Sequence, residues 1–81
     1  MTDSYKSYVI RGFDKSGKPV YVFDARRRED DSGYSFCYVA KLYQAQRFSK
    51  TIAEDFMKNN KGCYYNVKIV PIKITLEEIE E

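Results

Sequence analysis

Eighty-one residues make one domain, because a single core saturates well above this length. The chain is too short to hold a substrate domain beside a cofactor domain. Its 43% apolar and 16% aromatic content, beside 32% charge, excludes a disordered chain. A net charge of +2 excludes neither protein nor nucleic-acid partners.

The first predicted element is a strand from Tyr5 to Phe13. Val9, Arg11 and Phe13 point one way, and Tyr8 and Ile10 the other. Asp14-Lys15-Ser16-Gly17-Lys18 reads as a turn, with Gly17 able to supply a positive φ. A second strand follows from about Pro19 to Arg26. Pro19 is tolerated because the first strand position can lack a ladder donor. The two strands form a hairpin.

The run from Arg26 to Gly33 is polar throughout and ends in Ser-Gly, which reads as a second and longer hairpin loop. A third strand starts at Tyr34. Tyr34, Phe36, Tyr38, Ala40 and Leu42 share one face, and this is the better core face. Ser35, Cys37, Val39 and Lys41 share the other.

A helix is predicted from Ser49 to Lys61. The Ser49 hydroxyl can accept a free N–H of the first turn. Phe48 and Ala53 then occupy hydrophobic-staple positions, while Thr51 with Glu54 offers a capping box for a slightly later start. Ile52, Ala53, Phe56 and Met57 lie on one stripe. Glu54 and Lys58 form an i,i+4 pair, and Gly62 stops the helix. The last strand runs from Tyr64 to about Thr75. Val67 and Ile69 share one parity, but Ile72, Ile74 and Leu76 share the other. A bulge at Val70-Pro71 would reconcile them. Pro71 also predicts that this strand lies at or near a sheet edge beyond that residue.

The element order is therefore β-β-β-α-β. The fold class is α+β, a four-stranded mainly antiparallel sheet with one helix on one face. The other face stays partly open, showing Tyr, Ser, Lys and Arg side chains. Residues 1–76 form the domain and 77–81 an acidic tail. No stretch approaches the roughly 18 apolar residues of a membrane span. The N-terminus lacks the apolar run of a signal peptide, so the chain reads as cytosolic. Cys37 and Cys63 read as reduced, small apolar residues.

Charge is unevenly spread. Residues 1–28 carry seven basic and three acidic side chains, and residues 41–73 carry seven and two. Glu29, Asp30 and Asp31 form an acidic cluster between them. Glu77, Glu78, Glu80 and Glu81 close the chain.

Gly12-Phe13-Asp14-Lys15-Ser16-Gly17-Lys18 matches the Gly-x4-Gly-Lys spacing of a phosphate-binding loop. Pro19 stands where the magnesium-binding hydroxyl belongs, and a strand follows instead of a helix. The hairpin turn is the better reading. With no histidine, neither a neutral-pH general base nor a partner for a cysteine nucleophile is at hand. The two cysteines lack zinc-site spacing, and the acidic cluster lacks the calcium-loop pattern. The expectation is therefore no catalysis, no metal and no cofactor.

Phe48-Ser49-Lys50-Thr51-Ile52-Ala53-Glu54-Asp55-Phe56-Met57, followed by Tyr65-Asn66-Val67-Lys68-Ile69-Val70, resembles small accessory proteins encoded by bacteriophages and prophages. The likeness covers about the last 40 residues. It implies a strand–helix–strand unit and a small binder that inhibits a host factor in the bacterial cytoplasm, anti-CRISPR proteins being one such class. It carries over no functional residue.

The expected function is non-catalytic binding of a host protein through Arg26, Arg27, Arg28, Glu29, Asp30 and Asp31. Guanidinium forks suit acidic patches, and loops on rigid scaffolds commonly carry recognition. One alternative is a nucleic-acid-binding module using Arg, Lys and exposed Tyr. Another is a self-associating subunit with an exposed strand edge, which leaves monomer and homodimer open.

Overall fold

Alternation of apolar and polar residues builds the sheet. In the computed structural model, residues 2–29, 33–59 and 65–80 are described. Four strands, β1 (Thr2–Phe13), β2 (Pro19–Arg27), β3 (Tyr34–Val39) and β4 (Tyr65–Glu77), form one antiparallel sheet in the order β3-β2-β1-β4. A single helix, α1 (Lys50–Asn59), lies between β3 and β4 in the chain. The α+β class and the β-β-β-α-β order are thus as the sequence predicts. No helix among the described residues is long and apolar enough to cross a membrane.

The helix covers one face. Ile10, Val22, Tyr34, Phe48, Ala53 and Phe56 form the buried cluster. Phe56 is its hub, with the rings of Phe36, Tyr34 and Phe48 at 4.9, 5.2 and 6.1 Å. Ser49 caps the helix as predicted, accepting from Ile52 N–H at 3.3 Å. Phe48 and Ala53, the staple pair, are both buried in the cluster. The later start at Thr51 is not used. Ile52 is 47% exposed, so the buried stripe is narrower than the sequence suggests. Lys61, Gly62, Cys63 and Tyr64, with the predicted helix stop, lie outside the described residues.

The strands differ from expectation in three places. β3 ends at Val39, and a short 3-10 turn, Leu42–Gln44, follows. Ala40 and Leu42 are exposed and do not extend the core face. β1 and β4 are longer than predicted and pair without interruption from Thr2↔Glu77 to Arg11↔Lys68. There is accordingly no bulge at Val70-Pro71. The irregularity lies between Arg11 and Phe13, where Asn66 on β4 takes a positive φ of 50°. A second bulge, at Asp24 with φ 53°, interrupts the β2–β3 ladder.

β1 pairs with β2 only from Arg11 to Phe13. Beyond that the two strands diverge, and the connector before the helix fills the fork. Phe48 N–H donates to Tyr8 O at 2.8 Å, and Tyr8 N–H to Phe48 O at 3.2 Å. Gln46 N–H donates to Val22 O at 3.0 Å, and Ala25 N–H donates to Gln46 Oε1 at 2.6 Å. The far ends of β1 and β4 project as a two-stranded ribbon. The molecule measures 45 × 32 × 20 Å with a radius of gyration of 14.2 Å. A compact domain of this length would have about 12 Å.

Candidate binding surface

Neighbours paired across an antiparallel ladder share a face. On the helix side lie Ile10, Val22, Tyr38, Val67 and Ile69. The opposite side therefore carries Val9 with Val70, Ser7 with Ile72, Tyr5 with Ile74 and Asp3 with Leu76. It also carries Tyr21 with Val39 and Phe23 with Cys37. The helix packs against the other side. Val9 is fully buried there, outside the helix-side cluster. Tyr5, Phe23 and Leu76 remain 46%, 43% and 54% exposed.

The parity change in β4 has its origin here. Val67 and Ile69 serve the helix-side core. Val70, Ile72, Ile74 and Leu76 form a row along the opposite face. The strand is apolar on alternate sides at its two ends because different surfaces use it.

Cations are spaced along this face. Arg11 sits directly beside Lys68 across the ladder. The Arg11 guanidinium stands 5.0 Å from the Phe13 ring centroid, and its Nε is buried with no hydrogen-bond partner among the described residues. The Arg47 side chain donates to the Tyr5 hydroxyl at 3.4 Å. Cys37 is exposed on this face, a free thiol 3.5 Å from Phe23 O, and not a core residue.

The arginine triplet is divided. Arg26 and Arg27 belong to β2 and point to opposite sides. Arg26 bonds Asp24 at 3.1 Å on the open side. Arg27 faces the helix and bonds Asp55 Oδ2 at 3.2 Å. Tyr34 donates to the same oxygen at 2.5 Å. Arg28 is exposed, and its N–H donates to Gly33 O at 2.9 Å. Glu29 is exposed, while Asp30 and Asp31 lie outside the described residues. Strand alternation thus keeps Arg26 and Arg27 from forming one patch, and Arg27 ties β2 to the helix.

The Gly-x4-Gly-Lys segment closes the β1–β2 hairpin. Asp14 Oδ1 accepts from Ser16 Oγ at 2.6 Å, Ser16 N–H at 2.9 Å and Lys18 N–H at 3.0 Å. Amides that a phosphate-binding loop would offer to a nucleotide are held by the chain's own carboxylate. The Ser16 hydroxyl, then the Lys18 amide, keeps the Asp14 carboxyl below its usual value of 3.8. Gly17 supplies the positive φ, 82°.

Comparison with known proteins gives no match to a family model, a curated protein or a solved structure.

Proposed function

We propose that this domain is a non-catalytic binder of a protein partner and that it binds with the face of its sheet opposite the helix. The observation that carries this reading is the row Val70, Ile72, Ile74 and Leu76 with exposed Tyr5 and Phe23, on the face opposite the helix. Apolar and aromatic side chains gathered on one open surface mark interaction sites more strongly than scattered exposure does. Arg11 and Lys68 at one end of the row, Arg47 beside Tyr5, and the buried Arg11 Nε lacking an acceptor among the described residues suit a partner whose apolar centre is flanked by carboxylates. The resemblance to small phage proteins agrees with an inhibitor of a host protein, the anti-CRISPR class included.

Nucleic acid is the second reading, favoured by the Arg11–Lys68 pair beside the aromatic rings of Phe13 and Tyr21. Phosphate oxygens would satisfy the same cations, and bases could stack on the rings.

Affinity purification from bacterial lysate separates these readings. Wild type is compared with a Tyr5→Ser/Phe23→Ser variant and with an Arg26→Ala/Arg27→Ala/Arg28→Ala variant. A protein retained by wild type and lost only with Tyr5→Ser/Phe23→Ser, in a variant that melts cooperatively, places the site on the open face. Loss only with the arginine variant returns the site to the β2–β3 loop. Nuclease-sensitive retention with a steep salt dependence selects nucleic acid.

A further inference from the structure

We propose that the outer edge of β4 pairs, antiparallel and about a two-fold axis at Thr75, with β4 of a second copy of this chain. This association uses the strand edge and is independent of the open-face reading above.

The edge is available and its polarity is fixed. β4 is the last strand of the sheet. Tyr8 exchanges both of its backbone hydrogen bonds with Phe48, on the side away from β4. Tyr8 and its β4 neighbour Pro71 are therefore a non-hydrogen-bonded pair, and the Pro71 nitrogen and carbonyl point outward. With an unbroken register, the backbone groups of Ile69, Lys73, Thr75 and Glu77 point outward as well. Pro71 has no N–H to offer, so it interrupts this edge without weakening the β1–β4 ladder. The usable edge is Lys73-Ile74-Thr75-Leu76-Glu77.

That segment is complementary to itself when reversed. With Thr75 opposite Thr75, Lys73 of each copy meets Glu77 of the other. Both are outward-pointing residues able to exchange backbone bonds. Ile74 meets Leu76 on the open face and continues its apolar row into the second copy. Pro71 falls opposite Ile79, beyond the paired segment. Sliding the register so that Lys73 meets Thr75 would set Pro71 against Glu77. That shift forfeits a ladder bond and separates the charges.

A second feature supports the same occupant. Lys6 and Lys73 are direct cross-strand neighbours on β1 and β4, and both are exposed. Like charges in such a pair are unfavourable. The incoming Glu77 would bring an anion to this pair.

The test is a charge reversal and its reciprocal. Sedimentation velocity over a concentration series reads the association of wild type, Lys73→Glu, Glu77→Lys and the double variant Lys73→Glu/Glu77→Lys. Wild type should dimerise with a dissociation constant on the order of 1–100 µM, as suits a small interface. Each single variant should weaken it roughly tenfold or more by facing like charges across the edge. The double variant should restore it. Thr75→Cys, with Cys37 and Cys63 replaced by Ser, should form a disulfide dimer on mild oxidation, because a bonded antiparallel pair sets Cα atoms about 5.5 Å apart. A wild type that stays monomeric to about 500 µM overturns the proposal. So does a dimer insensitive to both single reversals, or a Thr75→Cys variant that fails to cross-link.

Discussion

Tyr34 and Asp55 join the start of β3 to the middle of the helix through a 2.5 Å hydrogen bond in which the phenol donates. Arg27 meets the same carboxylate oxygen from β2. One acid thus holds two strands and the helix. Removing the hydroxyl with Tyr34→Phe should cost about 1 kcal/mol in a urea melt, the ordinary net worth of such a bond. Arg27→Ala should cost less, because that pair is largely solvated.

The same contact sets an alkaline limit. The hydrogen bond to Asp55, then burial, raises the Tyr34 phenol above its usual value of 10.0. Its neutral form is the one favoured by folding. The stabilisation is therefore complete below pH 10 and is lost as pH rises through the raised value. Wild type and Tyr34→Phe should differ in melting temperature at pH 8 and converge at strongly alkaline pH. A gap that persists unchanged would mean the phenol is not the titrating group.

Asp14 works in the opposite direction. Its folded value is lowered, so its stabilising effect is present above the usual 3.8 and is lost as pH falls through the lowered value. Carboxyl chemical shifts followed by NMR should show Asp14 titrating below the usual aspartate value. Asp14→Ala should abolish the acid-side part of the pH–stability profile that this residue contributes.

Gly17 tests the turn itself. A Cβ there would meet nothing within 4 Å, so only the backbone opposes substitution. Gly17→Ala should cost about 1 kcal/mol, and Gly17→Asn less, because Asn tolerates the left-handed region. Equal losses in thermal melts would point to a packing role instead.

Phe56 should be the most sensitive core position. It is 2% exposed and meets the rings of Tyr34, Phe36 and Phe48. Phe56→Ala should cost about 3–5 kcal/mol in a denaturant melt. A loss under about 1 kcal/mol would be incompatible with its burial.

Much of this architecture is legible in the sequence because local signals and packing agree. Ser49 before the helical stripe, Gly17 in its turn, and the alternation Tyr34-Phe36-Tyr38 all lead to the observed elements. The misreadings arise where a pattern serves two surfaces. The parity change in β4 suggests a bulge only if one face of the sheet is assumed to be apolar. Here both are, at opposite ends of the strand. The bulge at Asn66 lies in a stretch with no hydrophobic phase to break. Arg26-Arg27-Arg28 reads as one cluster along the chain. Once Arg26 and Arg27 lie in a strand they face opposite ways, and the acceptor for Arg27 is 28 positions distant. The face proposed for binding is legible in Ile72, Ile74 and Leu76, whose parity sets them on the side of the sheet away from the helix.

The connector from Gln44 to Ser49 has a consequence for how the molecule breathes. It carries the sequence of a loop, yet its amides at Gln46 and Phe48 bond to two different strands. In hydrogen–deuterium exchange those two amides should be retained with the sheet, while Tyr43, only a few residues away and 80% exposed, exchanges quickly. Because Phe48 bridges Tyr8 across forty positions of chain, this stitch can close only after the first strand and the helix start have met. Its protection should therefore appear late in pulse-labelled refolding, marking the step at which the fork between β1 and β2 is sealed.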